Sequence, residues 1–340
     1  MGKVNVKINI NRAEKYLQRY GKVIKNNKTL KLRKKTKLNE YFELKLNDSF
    51  SCLLTDTKKN SINKRFLSSS VKILTLNLAP YYYNFCPKAG NCQDVCIGID
   101  YHAPKNIIAQ IKRSELFIND KEMFFNNLIC QLKNETNNVV VRLNNYSDIA
   151  WENEKIFKHK YTNNFLQKLS VKSDDNIFSY FPEILFYDYT KIPERFKNYL
   201  KGNFPRNYFL TYSYDKKNDK DYQSLINSVN EEMVETLQED TQKFSIAFIV
   251  KSECKKKLLE EKADLEQDYK NIELINGDKD DCRIFDLQNQ DRLAKIVLLE
   301  YNAKTGIKKN KEDKKYYLKY DEIKEKIEEI NKKFKKYTGK

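Results

Sequence analysis

The chain contains few glycines and histidines for its 340 residues, and this shortage excludes several classes of enzyme. Its eight glycines form neither a Gly-x4-Gly-Lys-Ser/Thr loop nor a Gly-x-Gly-x-x-Gly turn, so a P-loop hydrolase or a standard dinucleotide site is not expected. The two histidines, His102 and His159, are 57 residues apart, which excludes His-x-His nicking sites and His-Glu-x-x-His zinc proteases. A Cys–His nucleophilic pair has no supporting signature.

Long hydrophobic runs are also missing. No run approaches the roughly 18 consecutive apolar residues that a membrane span needs, and residues 1–5 lack the apolar core of a signal peptide. The cysteines number seven, and an odd count without a secretory signal indicates reduced thiols rather than a disulfide scaffold. We therefore expect a soluble, cytoplasmic protein that has no membrane partner.

The composition that is present predicts a folded protein with basic ends. Hydrophobic residues make up 40% of the chain and aromatic residues 13%, which argues against disorder. The net charge is +17, and residues 1–40 carry 13 Lys and Arg against 2 acidic residues, while residues 301–340 carry 14 against 7. The middle of the chain is therefore nearly neutral. Basic ends suit a polyanion, so a nucleic-acid partner is expected through the termini, although lysine enrichment for solubility explains the same charge.

Apolar runs alternate with amphipathic patterns along the chain. Strands are predicted at 4–10, 41–46, 71–78, 139–143, 183–189, 207–213, 244–250, 282–285 and 296–299, and helices after Pro104, at 119–132, 222–237 and 255–270. This alternation predicts an α/β fold, a parallel sheet of strand–helix units that is open or forms a partial or distorted TIM-like barrel. We divide the chain into a basic extension (1–60), an α/β metal-binding core domain (61–300) and a basic C-terminal helix (301–340).

That C-terminal helix has an apolar stripe. Ile323, Ile327, Ile330 and Phe334 recur at helical spacing, and the stripe is under three heptads long, so we expect it to dock on its own domain rather than form a coiled coil.

Three cysteines lie close together after the first strand of the predicted sheet. Cys86, Cys92 and Cys96 have a C-x5-C-x3-C spacing, with Pro87 and Gly90 to bend the chain. Short-range cysteine sets in intracellular chains usually bind metal. We therefore predict that these three thiolates share one metal centre, the alternative being three unpaired thiols in a loop.

Polar residues follow three further strands of the predicted sheet. Loops at the carboxyl ends of parallel strands meet at one edge, where chemistry gathers. The predicted catalytic residues are Arg142, Asp148, Asp188 and Lys191, and the predicted cofactor-binding residues are Asn144, Ser147, Thr190, Thr211 and Ser213. Each of these residues taken singly has an ordinary structural explanation, such as helix capping or solvation at the surface. Their common position at the strand ends is what favours a functional site.

Five blocks of the sequence resemble a known family. The blocks are 86–96, 142–152, 186–193, 207–213 and 276–278, and in this order they are similar to the gene product 88-like proteins of phages and mobile elements, over about residues 70–300. The resemblance implies a phage or plasmid protein and no particular activity. A more remote similarity is to radical S-adenosylmethionine (SAM) enzymes, in which a three-Cys loop follows the first strand of a partial barrel. Their usual spacing, C-x3-C-x2-C, differs from the spacing here.

Two metal centres are compatible with the cysteines. Three thiolates can hold a four-iron, four-sulfide cluster with one iron open to SAM, which the remote similarity implies. Alternatively, they hold structural zinc, for which a fourth ligand is needed. The sequence offers His102, Cys130, Cys254 and Cys282 for that position.

Two functions follow from these alternatives. In the first, an iron–sulfur centre at the mouth of an α/β barrel carries out radical SAM-like chemistry on a nucleic acid or a nucleotide-related substrate. In the second, zinc or a cluster only stabilises the loop, and the protein is a DNA- or RNA-binding accessory factor in replication or packaging.

Overall fold

The central feature of the fold is one eight-stranded sheet. The computed structural model describes residues 52–57, 71–80, 83–100, 104–135, 138–156, 175–239, 243–279, 281–287, 292–301 and 314–339. The strands are β1 (Leu54–Asp56), β2 (Lys72–Leu76), β3 (Val139–Arg142), β4 (Leu185–Thr190), β5 (Tyr208–Ser213), β6 (Phe244–Val250), β7 (Ile272–Asn276) and β8 (Ala294–Glu300). They lie in the order β1-β2-β3-β4-β5-β6-β8-β7. The β1–β2 pair is antiparallel and all other pairs are parallel.

Ten α-helices connect and cover the strands in the described part of the chain. They are α1 (Ile97–Asp100), α2 (Pro104–Asn119), α3 (Lys121–Lys133), α4 (Ile177–Tyr180), α5 (Pro193–Leu200), α6 (Asp219–Ser228), α7 (Glu231–Glu239), α8 (Ser252–Glu260), α9 (Lys262–Asp268) and α10 (Tyr320–Thr338). Local signals set several ends. Proline begins α2 and α5, and the Asp120 side chain accepts from the Met123 amide to cap α3.

The predicted α/β class and its mostly parallel sheet are confirmed. The sheet is not closed, because β1 and β7 form its two edges, and a TIM-like barrel is therefore not confirmed. Leu54–Asp56, inside the predicted basic extension, is part of the sheet. The predicted strands at 4–10 and 41–46 lie outside the described residues. No described helix has the length and apolar character needed to cross a membrane.

The sheet buries side chains on both faces. Val139 and Val141 belong to the main core together with helix residues such as Phe124. Val140 points to the other face because successive strand residues alternate. There it packs with Tyr187 and Cys282 in a smaller core. The helices therefore cover one face, and the segment 281–287 covers part of the other.

Three predicted elements differ from the structure. The helix predicted at 222–237 is two helices, because Val229 is extended and the Asn230 side chain caps the second one at Met233. The helix predicted at 255–270 ends at Glu260 and restarts at Lys262. The strand predicted at 282–285 is wrong: Arg283–Leu287 is a 3-10 helix that packs across the second face of the sheet.

Candidate functional site

A cavity of about 370 Å³ opens at the carboxyl ends of the parallel strands. Arg142 from β3, Lys191 after β4 and Ser213 from β5 line it, as do Leu299 and Glu300 at the end of β8. Side chains from well-separated parts of the sequence meet here because parallel strands end at one edge of the sheet.

All three cysteines of the 86–96 loop line this cavity. Cys96 is buried, and Cys86 and Cys92 are half-buried. The Cys86 thiol donates to the Tyr146 carbonyl over 3.3 Å. Burial raises the pKa of Cys86 well above its usual value, and the nearby Cys96, Asp148 and Cys92 raise it further, while Lys191 lowers it. Cys92 and Cys96 therefore line the same cavity as Cys86 and lie close enough to raise its pKa.

The type of donor fits a metal centre bound by sulfur. The described residues contain no group of three or more His, Cys, Asp or Glu side chains arranged to hold a metal ion. Zinc requires all its sulfur ligands within about 2.3 Å of one point, whereas a four-iron cluster receives each cysteine on a different iron. Cys86, Cys92 and Cys96 line the same cavity, and thiolates are ligands of both kinds of centre.

The residues considered as a fourth zinc ligand lie elsewhere or outside the described chain. Cys130 is on α3, Cys254 on α8, and Cys282 in the smaller core, and none of them lines the cavity. His102 lies outside the described residues.

Lys191 presents a cation to the cavity. Its ammonium donates to the Ser213 carbonyl (3.2 Å) and hydroxyl (3.0 Å). In the described part of the chain no carboxylate lies within salt-bridge distance of it, in contrast to Lys88 with Asp221 and Lys216 with Glu322.

Asp148 lines the cavity and holds Lys191 in place. One carboxylate oxygen accepts from the Lys191 amide (2.8 Å) and the other from the Arg195 guanidinium (3.1 Å). Burial raises the pKa of Asp148, and Arg195 counteracts the rise. Arg195, which sequence reasoning missed, also pairs with Glu152.

Arg142 lies at the cavity floor. It pairs with Asp281, and its guanidinium lies 4.8 Å from the centre of the Tyr189 ring. Asp281 was missed because it directly precedes the segment 282–285, which the sequence pattern predicts as a strand, whereas Arg283–Leu287 is a 3-10 helix. It reaches Arg142 only through the fold.

Asn144 and Ser147 line the cavity but direct their polar groups mainly into the loop after β3. The side-chain oxygen of Asn144 (Oδ1) accepts from the Ser147 hydroxyl, the Ile149 amide and the Trp151 indole over 2.8 to 2.9 Å. These contacts indicate that the pair shapes the cavity wall. Thr190 also lines the cavity, and its hydroxyl accepts from the Ile192 amide.

Two predicted site residues do not line the cavity. Asp188, 1% exposed, lies on the face that packs against the helices, where Tyr208 donates to it over 2.7 Å and the Asn144 amide over 2.7 Å. Burial raises the pKa of Asp188 to about 7 although Arg195 lowers it. Thr211, also 1% exposed, bonds to Ser245 within the sheet. Asp188 therefore holds the start of the loop after β3, and Thr211 links β5 to β6.

The comparison with protein families gives one match. A family model described as Gene product 88 matches residues 44–315. No curated protein and no solved structure matches the chain.

Proposed function

The chain belongs to the gene product 88 family, and we propose that it is an iron–sulfur enzyme whose three cysteines hold a four-iron cluster in the carboxyl-end cavity. The proposed chemistry is of the radical SAM type, on a nucleic acid or a nucleotide-related substrate. One observation carries the proposal: Cys86, Cys92 and Cys96 share their cavity with polar groups that follow three neighbouring strands.

The order of the strands supports this assignment. Strands β2 to β6 lie side by side in chain order, and the cysteine loop follows β2, the first parallel strand. Sequential parallel strands with helices on one face also occur in (β/α) barrels, whereas here they belong to an open sheet.

The cavity chemistry also supports it. Three thiolates leave one iron of a four-iron cluster open to a ligand such as SAM, whose reductive cleavage supplies a radical. Lys191 is the residue that would hold the negatively charged end of a bound ligand, because its ammonium contacts only neutral oxygens in the described chain. Asp148 would fix the position of Lys191, and the Arg142–Asp281 pair would form the floor.

Lys191 supports an anionic substrate. Lys88 and Lys216 also line the cavity, but they pair with Asp221 and Glu322. The cavity is lined by several carboxylates as well, so Lys191, whose ammonium donates to neutral oxygens, is the group that would attract a phosphate. The basic residues at the two chain ends are a second reason to include the nucleic-acid partner expected from the sequence in the proposal.

Anaerobic purification of the full-length protein tests the proposed centre. We expect about four iron and four sulfide per chain and a brown protein with broad visible absorption. Cys86→Ala, Cys92→Ala and Cys96→Ala should each lose most of the iron. Cys130→Ala is the matched control, because Cys130 lies on α3 away from the cavity, and it should keep the iron.

Other outcomes would refute the proposal. A colourless protein with one zinc would favour the non-catalytic accessory factor. Iron that persists in all three cavity variants would place the centre elsewhere. SAM cleavage by the reduced protein then tests the reaction separately from the cluster.

A further inference from the structure

The middle of the cysteine loop is fastened by a residue from a different part of the sheet. Asp215 follows β5, and its Oδ2 accepts from the backbone amides of Asn91 (3.0 Å) and Cys92 (3.2 Å). Its Oδ1 accepts from the Lys217 amide over 2.9 Å, which orients the carboxylate. Amides in the first turn of a helix have no partner within the helix, and Asp215 supplies one for the Asn91 amide of the 3-10 turn Gly90–Val95. The Cys92 amide donates to the Ala89 carbonyl over 3.0 Å as well as to Asp215.

Gly90 allows this close approach. Its φ is +59°, a left-handed conformation that side chains disfavour. A Cβ at this position would also lie 2.7 Å from the Asp215 carboxylate carbon. The turn and the carboxylate therefore fit together only with glycine at position 90.

Further hydrogen bonds and one ion pair hold the same loop next to this contact. The Asn218 side chain donates to the Lys88 carbonyl over 2.9 Å, and Lys88 pairs with Asp221. The Asn91 side chain donates to the Lys315 carbonyl over 2.9 Å. Of these contacts, only those of Asp215 reach the backbone of a cysteine.

We infer that Asp215 is a positioning residue for Cys92, which holds the turn so that the Cys92 thiol faces the cavity shared with Cys86 and Cys96. The inference depends on the proposed function in one respect: it takes the three thiols to be the functional groups of the site. The contacts that carry it belong to the chain itself and do not require a bound metal.

Alkylation of the full-length, chelator-treated protein tests this role cysteine by cysteine. We expect Asp215→Ala to raise the alkylation rate of Cys92 about tenfold, because two hydrogen bonds from backbone amides to a charged acceptor are lost. The rate at the buried Cys254 should stay within about twofold of wild type. Asp215→Asn keeps an acceptor oxygen and should restore most of the protection. Gly90→Ala should resemble Asp215→Ala.

Asp219→Ala is the matched control, because Asp219 lies four residues further along and bonds to Tyr214 and Lys326 rather than to the loop. An unchanged Cys92 rate in folded Asp215→Ala would overturn the inference. An equal rise at Cys92 and Cys254 would also overturn it, because that pattern reports general unfolding.

Hydrogen exchange keeps the inference testable if Asp215→Ala does not fold. In the wild-type protein the Asn91 amide, which donates to Asp215, should exchange at least about tenfold more slowly than an unprotected amide. An unprotected Asn91 amide would refute the role. Metal analysis of wild type is independent: absence of iron would end the proposed function and leave this result standing.

Discussion

The buried carboxylate of Asp188 shows how a single residue can matter to the site without facing it. It accepts from the Asn144 amide and from Tyr208, and so joins the loop after β3 to β5. The loop that it supports also carries Asp148, which orients Lys191. We therefore assign Asp188 a structural role beneath the cavity.

Asp188 should make the stability of the protein depend on pH. Burial raises its pKa from 3.8 to about 7, so the folded protein binds a proton more tightly than the unfolded chain. Its contribution is greatest below the unfolded pKa and is lost as pH rises through about 7. Asp188→Asn has no carboxyl group that titrates at this position. Its free energy of unfolding, measured relative to that of wild type, should therefore rise by up to about 4 kcal/mol between pH 4 and pH 8.

Urea unfolding of both proteins across that range measures the difference. Asp219→Asn is a suitable comparison, because the pKa of Asp219 is lowered through its bonds to Lys326 and Tyr214 despite the opposing effect of burial. Parallel stability curves for wild type and Asp188→Asn would contradict the prediction.

At the scale of elements, the C-terminal helix belongs to the main core. Ile323, Ile327, Ile330 and Phe334 of α10 are fully or almost fully buried, and Phe334 packs edge-on against Phe244 of β6 at 5.3 Å. The expected apolar stripe is thus confirmed as a docking face. The basic residues of α10 therefore lie on a helix that is packed into the main core.

Ile327→Ala should therefore destabilise the whole protein. Removing a fully buried isoleucine side chain leaves a cavity and typically costs about 2 to 5 kcal/mol. Glu325→Ala, on the exposed side of the same helix, should change the free energy of unfolding by less than about 0.5 kcal/mol. Chemical denaturation followed by circular dichroism measures both. Equal effects of the two substitutions would mean that α10 is not docked.

At the scale of the whole molecule, the most basic segment of the sequence is separate from the segment that contains the candidate site. The first 40 residues carry 13 Lys and Arg against 2 acidic residues and precede the family match, which begins at residue 44. The cavity and its cysteines lie in the matched part. The proposed binding of a polyanion and the proposed chemistry in the cavity would therefore belong to different parts of the chain.

A variant that lacks residues 1–40 tests this separation. We expect it to keep its thermal stability and metal content and to bind a labelled oligonucleotide more weakly, with a shallower dependence on salt. Each phosphate contact contributes a slope of about 0.7 to 0.9 in log K against log salt. The triple variant Lys332→Gln, Lys335→Gln, Lys336→Gln is the control for the basic end of α10. Unchanged binding after the truncation would remove the first 40 residues from the proposal.

The sequence alone determined the class of fold and part of the lining of the cavity. Runs such as Phe244–Val250 and Val139–Arg142 form strands because β-branched and aromatic side chains pack well on a pleated surface. Parallel strands end at one edge, so the cysteines, Arg142, Asp148, Lys191 and Ser213 were expected to meet and do line one cavity.

Tertiary structure decided which strand-end residues face that cavity. In β4 the run from Phe186 to Tyr189 is bulky on both faces, so no alternation of polar and apolar residues shows that Asp188 points toward the helices and Tyr189 toward the cavity. Asp215 and Asp281 took their roles from contacts with residues more than 120 positions away. Such contacts form only in the folded chain. The periodicity of a sequence predicts whether a segment is a helix or a strand, but it does not predict which distant residues contact that segment.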